Sequence, residues 1–182
     1  MNITSINIRG CGTAIKRKRV RYLVEKGKVY LIFIQETKTQ KMSKAIVRNM
    51  WEPIDVSWSA LDACGHSGGI ITIWKHGIID SILSFRENGF IGIEAIHKCN
   101  TIFFLNIYSS CQLVEKRRTW TKIVEWKNRL EVGEWIIGGD FNSVKHRNER
   151  IRCSVRSYRY EIEDFVFFID LMEVVDLPIV GN

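Results

Sequence analysis

The sequence predicts an α/β (α+β) fold in which two packed β-sheets are flanked by helices, and three observations predict it. Apolar runs of strand length outnumber helical stretches. Several of these runs adjoin with only a turn between them, which argues against a simple doubly wound sheet. Helical patterns still recur at intervals, enough to cover the outer faces of a sheet-on-sheet core. A chain of 182 residues suffices for a single domain, 1–182, burying roughly 70% of its unfolded surface.

The elements follow in order. Residues Asn2 to Ile8 alternate as a strand, with Ile6 and Ile8 on one face and Ser5 and Asn7 on the other. Gly10 and Gly12 break it, and a basic helix runs from Ala14 to Lys26, stopped at Gly27. Val29 to Ile34 is a continuous apolar run and reads as a buried strand. A polar helix is expected from Gln40 to Met50 and a turn from Gly65 to Gly69. Further strands are Ile70 to Trp74, Ile78 to Phe85, Phe90 to Ile96 and Thr101 to Tyr108. A helix from Val114 to Leu130 would bury Trp120, Ile123, Val124 and Leu130. The strand Trp135 to Ile137 follows, and then a helix from Tyr158 to Met172 with the stripe Tyr158, Ile162, Phe165, Ile169 and Met172.

Composition narrows the partners. The 27 Lys and Arg against 20 Asp and Glu give a formal charge of +7, which favours an anionic partner, nucleic acid first. The 5 cysteines are odd in number and contain no C-x-x-C pair, so neither a disulfide framework nor a zinc cluster is expected. No run approaches the roughly 18 apolar residues of a membrane span, and the N-terminus has no secretory pattern. The expectation is a soluble, intracellular monomer that binds DNA and no membrane, located in the nucleus.

The buried strands share a peculiarity in how they end. They lead into Asn7, into Gln35-Glu36-Thr37, into Asn106-Ile107-Tyr108, and into Gly138-Gly139-Asp140-Phe141-Asn142. Strand ends in layered α/β proteins are where a rigid scaffold presents side chains to solvent. Glu36 offers a hard oxygen ligand for Mg²⁺ or Mn²⁺, ions that use one or two carboxylates and complete their shell with water and phosphate. Asp140 can accept a proton from water, and Asn142, two residues on, would point to the same side of an extended strand end. Gly138 and Gly139 would let a substrate backbone approach. Asn7 could orient Glu36 or the phosphate, and the Tyr108 hydroxyl could donate to a phosphoryl group. Singly, each has an ordinary reading: a solvated strand end, an Asx turn, a core aromatic. Together they describe metal-assisted phosphoester chemistry.

These segments resemble a known family. Ser5-Ile6-Asn7-Ile8-Arg9-Gly10, Gln35-Glu36-Thr37-Lys38, Gly68-Gly69-Ile70, Asn106-Ile107-Tyr108 and Gly139-Asp140-Phe141-Asn142 are similar to the motifs of the endonuclease/exonuclease/phosphatase (DNase I-like) superfamily. The Q-E-T-K, S-G-G-I and G-D-F-N segments, Glu149-Arg150 and the final D-L-P-I-x-G look most like the endonuclease domain of LINE-type non-LTR retrotransposons. The resemblance implies a four-layer sandwich and a divalent-metal-dependent phosphodiesterase that nicks DNA. It implies that Glu36 ligates Mg²⁺ (or Mn²⁺) with support from Asn7. It further implies that Tyr108 contacts the phosphate, Asp140 activates the water and Asn142 stabilises the transition state.

The sequence departs from the family pattern in places. Ile6 stands where a Trp is usual, and Ser109-Ser110 where a Pro follows the Tyr motif. The late S-x-x-D-R and S-D-H motifs have no counterpart before Asn182, and none of His66, His76, His97 or His146 follows an Asp. The corresponding expectation is a C-terminally truncated copy with weak or absent nicking. A phosphatase acting on a small phosphoester and a catalytically dead nucleic-acid-binding remnant stay open as alternatives.

Two basic clusters accompany these motifs. Lys16-Arg17-Lys18-Arg19 with Arg21 reads as a solvated helix face or a nucleic-acid patch. Lys145, Arg147, Arg150, Arg152, Arg156 and Arg159 stand against Glu149 alone just after Asn142. Of these, Lys145, Arg147, Arg150 and Arg152 are the expected contacts to a phosphate backbone.

Overall fold

The computed structural model describes residues 1–52, 55–65, 67–149 and 158–177. Its elements are β1 (Ile3–Asn7), α1 (Ala14–Lys26), β2 (Leu31–Gln35), α2 (Lys44–Met50), β3 (Val56–Leu61), β4 (Ile70–Lys75), β5 (Asp80–Glu87), β6 (Phe90–His97), β7 (Asn100–Tyr108), α3 (Leu113–Arg129), β8 (Glu134–Asp140) and α4 (Tyr158–Met172). They fall into two compact units: Met1–Ser109 with Val132–Asp140, and Ser110–Glu131 with Phe141–Asn182.

The first unit holds both sheets, ordered β1-β2-β4-β3 and β5-β6-β7-β8. Each is antiparallel except for one pair: β1 runs parallel to β2, and β7 parallel to β8. Parallel pairing brings C-terminal ends side by side, so Asn7 lies opposite Gln35 and Tyr108 opposite Asp140.

Period-two alternation then assigns the faces. Along β2, Ile32 and Ile34 pack with Val20 and Val24 of α1 and Val47 and Met50 of α2. Leu31 and Phe33 point the other way, into an inter-sheet core with Ile70, Trp74, Ile91, Ile93, Ile102 and Phe104. A strand buried on both faces reads as a continuous apolar run, which is why this one was visible in the sequence.

Polar residues close that core at one end. Gln35 Nε2 donates to Asn106 Oδ1 at 2.7 Å and lies 3.2 Å from Ser5 Oγ. Asn106 Nδ2 donates to the Ile71 carbonyl at 3.0 Å and to Thr72 Oγ1 at 3.2 Å. Gln35, Asn106 and Thr72 are all essentially fully buried. Gly138 belongs to the same seam: a Cβ there would sit 2.8 Å from the Phe33 ring. At Gly139, φ is +143° and a Cβ would fall on the Ile107 carbonyl. The two glycines therefore serve the approach of the facing sheet and of the neighbouring strand, rather than a substrate backbone as the sequence suggested.

In the second unit, α3 and α4 pack through Trp120, Phe165 and Phe168, with Trp120 5.5 Å and 5.7 Å from the two phenylalanine rings. Phe141 joins them, 5.3 Å from Phe165.

Several boundaries differ from expectation. Strand β3 was not expected, although Val56, Trp58 and Ala60 alternate with Ser57 and Ser59 as in a half-buried strand. Helix α2 starts at Lys44, capped by Ser43, rather than at Gln40. The preceding residues are tied elsewhere: the Met42 N–H donates to Asp62 Oδ1 and the Thr39 carbonyl accepts from Ala63. Strand β5 begins at Asp80, not Ile78, and β8 extends to Asp140. The buried stripe of α4 is Glu161, Phe165, Phe168 and Met172, while Ile162 and Ile169 are half-buried. In α3, Lys116 and Thr119 are buried beside Trp120 and Ile123.

The inter-sheet amides give a stability prediction. Asn106→Leu removes the acceptor of Gln35 and the donor to Ile71, stranding buried polar groups that each cost about 1–3 kcal/mol. Urea unfolding should show a loss of roughly 2–4 kcal/mol with an unchanged m-value.

Candidate active site

The parallel pair in each sheet delivers polar residues to one place. Asn7, on the last position of β1, faces the second sheet, and its Nδ2 donates to Asp140 Oδ2 on the last position of β8 at 2.7 Å. The Asn7 side chain also helps hold the Glu36 carboxyl below its ordinary range, and its Oδ1 accepts the Arg9 N–H at 3.0 Å. One amide thus links the two acidic strand ends and holds the loop that follows its own strand. Tyr108 lies opposite Asp140 in the β7–β8 register and packs against the inter-sheet core.

Glu36 is positioned by backbone as much as by side chain. Beyond the paired strands, the Gly10 N–H donates to the Glu36 carbonyl at 2.6 Å and the Cys11 N–H to the Thr37 carbonyl at 2.9 Å. On the other side, the Thr37 and Lys38 N–H groups donate to the Gly69 and Gly68 carbonyls at 3.0 Å. Gly69 has φ +82°, and a Cβ there would overlap the Thr37 hydroxyl, so the S-G-G-I segment is the backing of the Glu36 loop.

Clamped this way, Glu36 adopts a left-handed conformation at φ +54°, as do Arg9 (+48°) and Lys38 (+54°). A left-handed backbone costs a residue with a Cβ about 1–2 kcal/mol, and such outliers collect at functional sites.

The charges around Glu36 are equally specific. Lys38 Nζ pairs with Glu36 Oε1 at 2.9 Å. Burial alone would raise the Glu36 carboxyl above the usual glutamate range. Hydrogen bonds from Lys38 and Asn7, with the positive charges of Lys38 and Arg9, outweigh burial and hold it below that range. An ammonium thus already occupies a cation position on this carboxylate. Among the described residues no three His, Cys, Asp or Glu side chains cluster as a metal site. Two carboxylates joined by an amide nevertheless match an ion that takes one or two carboxylates and fills its shell with water and phosphate.

Asn142 falls in the second unit. It has φ +49° and lies beyond the end of β8 at Asp140, so the strand alternation used to relate residues 140 and 142 does not extend to it. Its carbonyl accepts from Lys116 Nζ. The same unit carries the basic cluster: Lys145, His146, Arg147 and Arg159 line a cleft of about 280 Å³ with Ile162 and Glu163. Arg159 pairs with Glu163 and Lys145 with Asp176, so part of this charge is compensated. Arg150, Arg152 and Arg156 lie outside the described residues, as do His66 and the final segment from Pro178.

The basic face of α1 is largely structural. Lys16 Nζ donates to the Ile8 and Arg9 carbonyls, Arg17 to those of Cys11 and Gly12, and Arg21 to Glu52 and the Arg48 carbonyl. Lys16 and Arg17 brace the loop after Asn7 and Arg21 ties α1 to the end of α2, uses that no charge pattern reveals. Sequence reasoning also assigned no role to Lys38, although it was legible inside Q-E-T-K.

Comparison with known proteins places this geometry. No family model and no curated protein matches the chain. Solved structures do match. The AP endonuclease of Leishmania major superposes with a TM-score of 0.66 at 14% identity, over 92% of this chain and 65% of that one. The AP endonuclease of Archaeoglobus fulgidus gives 0.64 at 14% identity, over 92% and 70%. The endonuclease domain of TRAS1, a telomere-specific non-LTR retrotransposon, gives 0.62 at 15% identity, over 92% and 68%. The chain therefore has the DNase I-like fold, with two mixed four-stranded sheets and four α-helices among the described residues. It spans about two thirds of the length of these neighbours.

The strain at Glu36 is measurable. Glu36→Gly relieves the left-handed conformation and Glu36→Ala does not, so the glycine variant should be the more stable of the two by about 1 kcal/mol in chemical denaturation. The lowered Glu36 carboxyl contributes stability above the ordinary glutamate value and loses it as pH falls through the lowered one. Glu36→Gln should flatten that acid limb.

Proposed function

We propose that this chain is a divalent-metal-dependent phosphodiesterase acting on DNA, of the kind found in non-LTR retrotransposon endonucleases. The observation that carries the reading is the Asn7 amide, which donates to Asp140 and helps hold the neighbouring Glu36 carboxyl below its ordinary range. Mg²⁺ or Mn²⁺ would be held by Glu36 with Asn7. When bound, such an ion supplies polarisation of a phosphoryl oxygen and stabilisation of the leaving oxyanion.

The chain's own residues do the rest. Asn7 fixes Oδ2 of Asp140, so that this carboxylate can accept the proton of an attacking water. The Tyr108 hydroxyl donates to the phosphate. Asn142 donates to the charge that develops on the phosphoryl oxygens. Lys38 is a resident counter-cation that keeps Glu36 ionised until the metal arrives.

The basic composition supports a nucleic-acid substrate over a small phosphoester. The 27 cations against 20 anions and the cleft at Lys145, Arg147 and Arg159 are what support it here. Among the described residues no helix is long and apolar enough to cross a membrane. A DNA substrate would place the chain in the nucleus, and nothing in the mechanism requires more than a monomer. The Lys38 ammonium, already paired with the carboxylate that would hold the metal, favours a second reading, DNA binding without cleavage.

Nicking of supercoiled plasmid separates the two. The proposal expects Mg²⁺-dependent nicking that EDTA abolishes and that Glu36→Ala or Asp140→Asn lowers by at least about 10²-fold, the loss typical when a transition-state contact is removed. Metal-independent nicking, or nicking indifferent to Glu36→Ala, would contradict it. Salt-dependent DNA binding with no nicking at all would favour the second reading.

The basic cleft has its own signature. Lys145→Ala with Arg147→Ala should weaken binding to all DNA sequences alike and reduce the slope of log K against log salt by about 1–2 units. An unchanged slope would remove these side chains from the DNA path.

A further inference from the structure

The second unit buries a complete ion pair that the proposed chemistry does not use. Lys116 and Glu161 both come from the first turns of their helices, α3 and α4, and their side chains are 1% and 11% exposed. Nζ of Lys116 lies 2.7 Å from Oε1 of Glu161. A buried lysine and glutamate lose hydration that their mutual attraction only partly returns, and apolar residues of similar volume commonly serve stability as well or better. A pair retained in such a place calls for a role that packing does not fill.

The contacts supply the role. The Lys116 ammonium also donates to the backbone carbonyl of Asn142. Oε1 of Glu161 also accepts the Ser143 hydroxyl at 3.2 Å. One residue earlier, the Phe141 ring sits against Phe165, a turn beyond Glu161 on the same helix. Three consecutive residues, Phe141, Asn142 and Ser143, are thus fastened to the α3–α4 pair by a ring contact, a charged hydrogen bond and a hydroxyl. Between the two polar ties lies a residue held at φ +49°, a conformation that asparagine tolerates better than most side chains but does not prefer.

We infer that the Lys116–Glu161 pair is a positioning device for Asn142. It holds the 142–143 peptide in the left-handed turn and thereby fixes the direction of the Asn142 side chain. Lys116 and Glu161 are positioning residues that act through Asn142; neither contacts substrate. The inference rests on the proposed function for its catalytic consequence and on the ion pair alone for its structural one. A site group must be held to within about half an ångström by its supporting contacts, so a loosened Asn142 would cost turnover more than binding.

The test separates the two parts. Replacing one partner strands the other charge in the interior, so the pair is replaced together, Lys116→Met with Glu161→Met. The double variant should fold with a melting temperature near that of the parent. The Asn142 carbonyl and Cα chemical shifts should leave their left-handed values, and exchange of the Ser143 amide should accelerate at least tenfold. If the parent nicks DNA, kcat should fall about 10- to 100-fold with KM for DNA unchanged. Asn142 shifts and Ser143 exchange that match the parent would overturn the inference. So would a loss confined to KM.

A parent with no nicking removes the proposed function but leaves the shift and exchange measurements to decide the positioning claim. Should the double variant fail to fold, the unmodified protein decides it. A hydrogen-bond scalar coupling between the Lys116 ammonium nitrogen and the Asn142 carbonyl carbon supports the device, and its absence overturns it.

Discussion

Two buried amides, Gln35 on one sheet and Asn106 on the other, meet at 2.7 Å across an otherwise apolar seam, and the arrangement of the first unit follows from that contact. Apolar side chains in a sheet-on-sheet core tolerate some sliding, because dispersion is non-directional. An amide pair that must also satisfy Ser5, Thr72 and the Ile71 carbonyl does not. It fixes one register between the sheets. One residue beyond Gln35 the chain turns out as Glu36, and two residues beyond Asn106 it reaches Tyr108. The same register sets Asn7 against Asp140, so the network and the candidate site are two layers of one polar seam, one dry and one open to solvent.

Backbone strain and charge then complete what the seam begins. Around the site, the non-glycine residues Arg9, Glu36 and Lys38 hold left-handed conformations. Carbonyl and amide partners from residues 8–11 and 68–69 over-determine that loop. The cations of α1 reinforce it from behind, with Lys16 and Arg17 each gripping two carbonyls of the segment that follows Asn7. Much of the basic character that suggests a nucleic-acid surface is therefore engaged in holding loops. Lys145, His146, Arg147 and Arg159 differ in that they line an open cleft.

Much of this was legible because the signals were local. The continuous apolar run of β2 marked a strand buried on both faces, the stop at Gly27 ended α1, and the polar strand endings named Asn7, Glu36 and Asp140, which the structure brings together. What stayed hidden was relational. Gly138 reads as an invitation to substrate until Phe33, over a hundred residues away in sequence, is seen to need the space. Strand β3 was the exception, since Val56, Trp58 and Ala60 alternate with Ser57 and Ser59 and that pattern was legible. Lys116 looks like one more cation on an exposed face until Glu161 and the Asn142 carbonyl are found around it. The α4 stripe shifts by a residue because Phe168 packs against Trp120 while Ile169 does not fully bury.

The central proposal is that Glu36, with the amide of Asn7, holds a divalent cation in place of Lys38, beside the Asp140 carboxylate that Asn7 orients. Titration of the isotope-labelled protein with Mn²⁺, followed by side-chain NMR, tests it without reference to catalysis. Substoichiometric Mn²⁺ should broaden the Asn7 amide and the Glu36 and Asp140 carboxyl signals before any others, and Mg²⁺ should reverse the broadening by competition. Those three signals persisting sharp while acidic side chains elsewhere broaden would contradict the account.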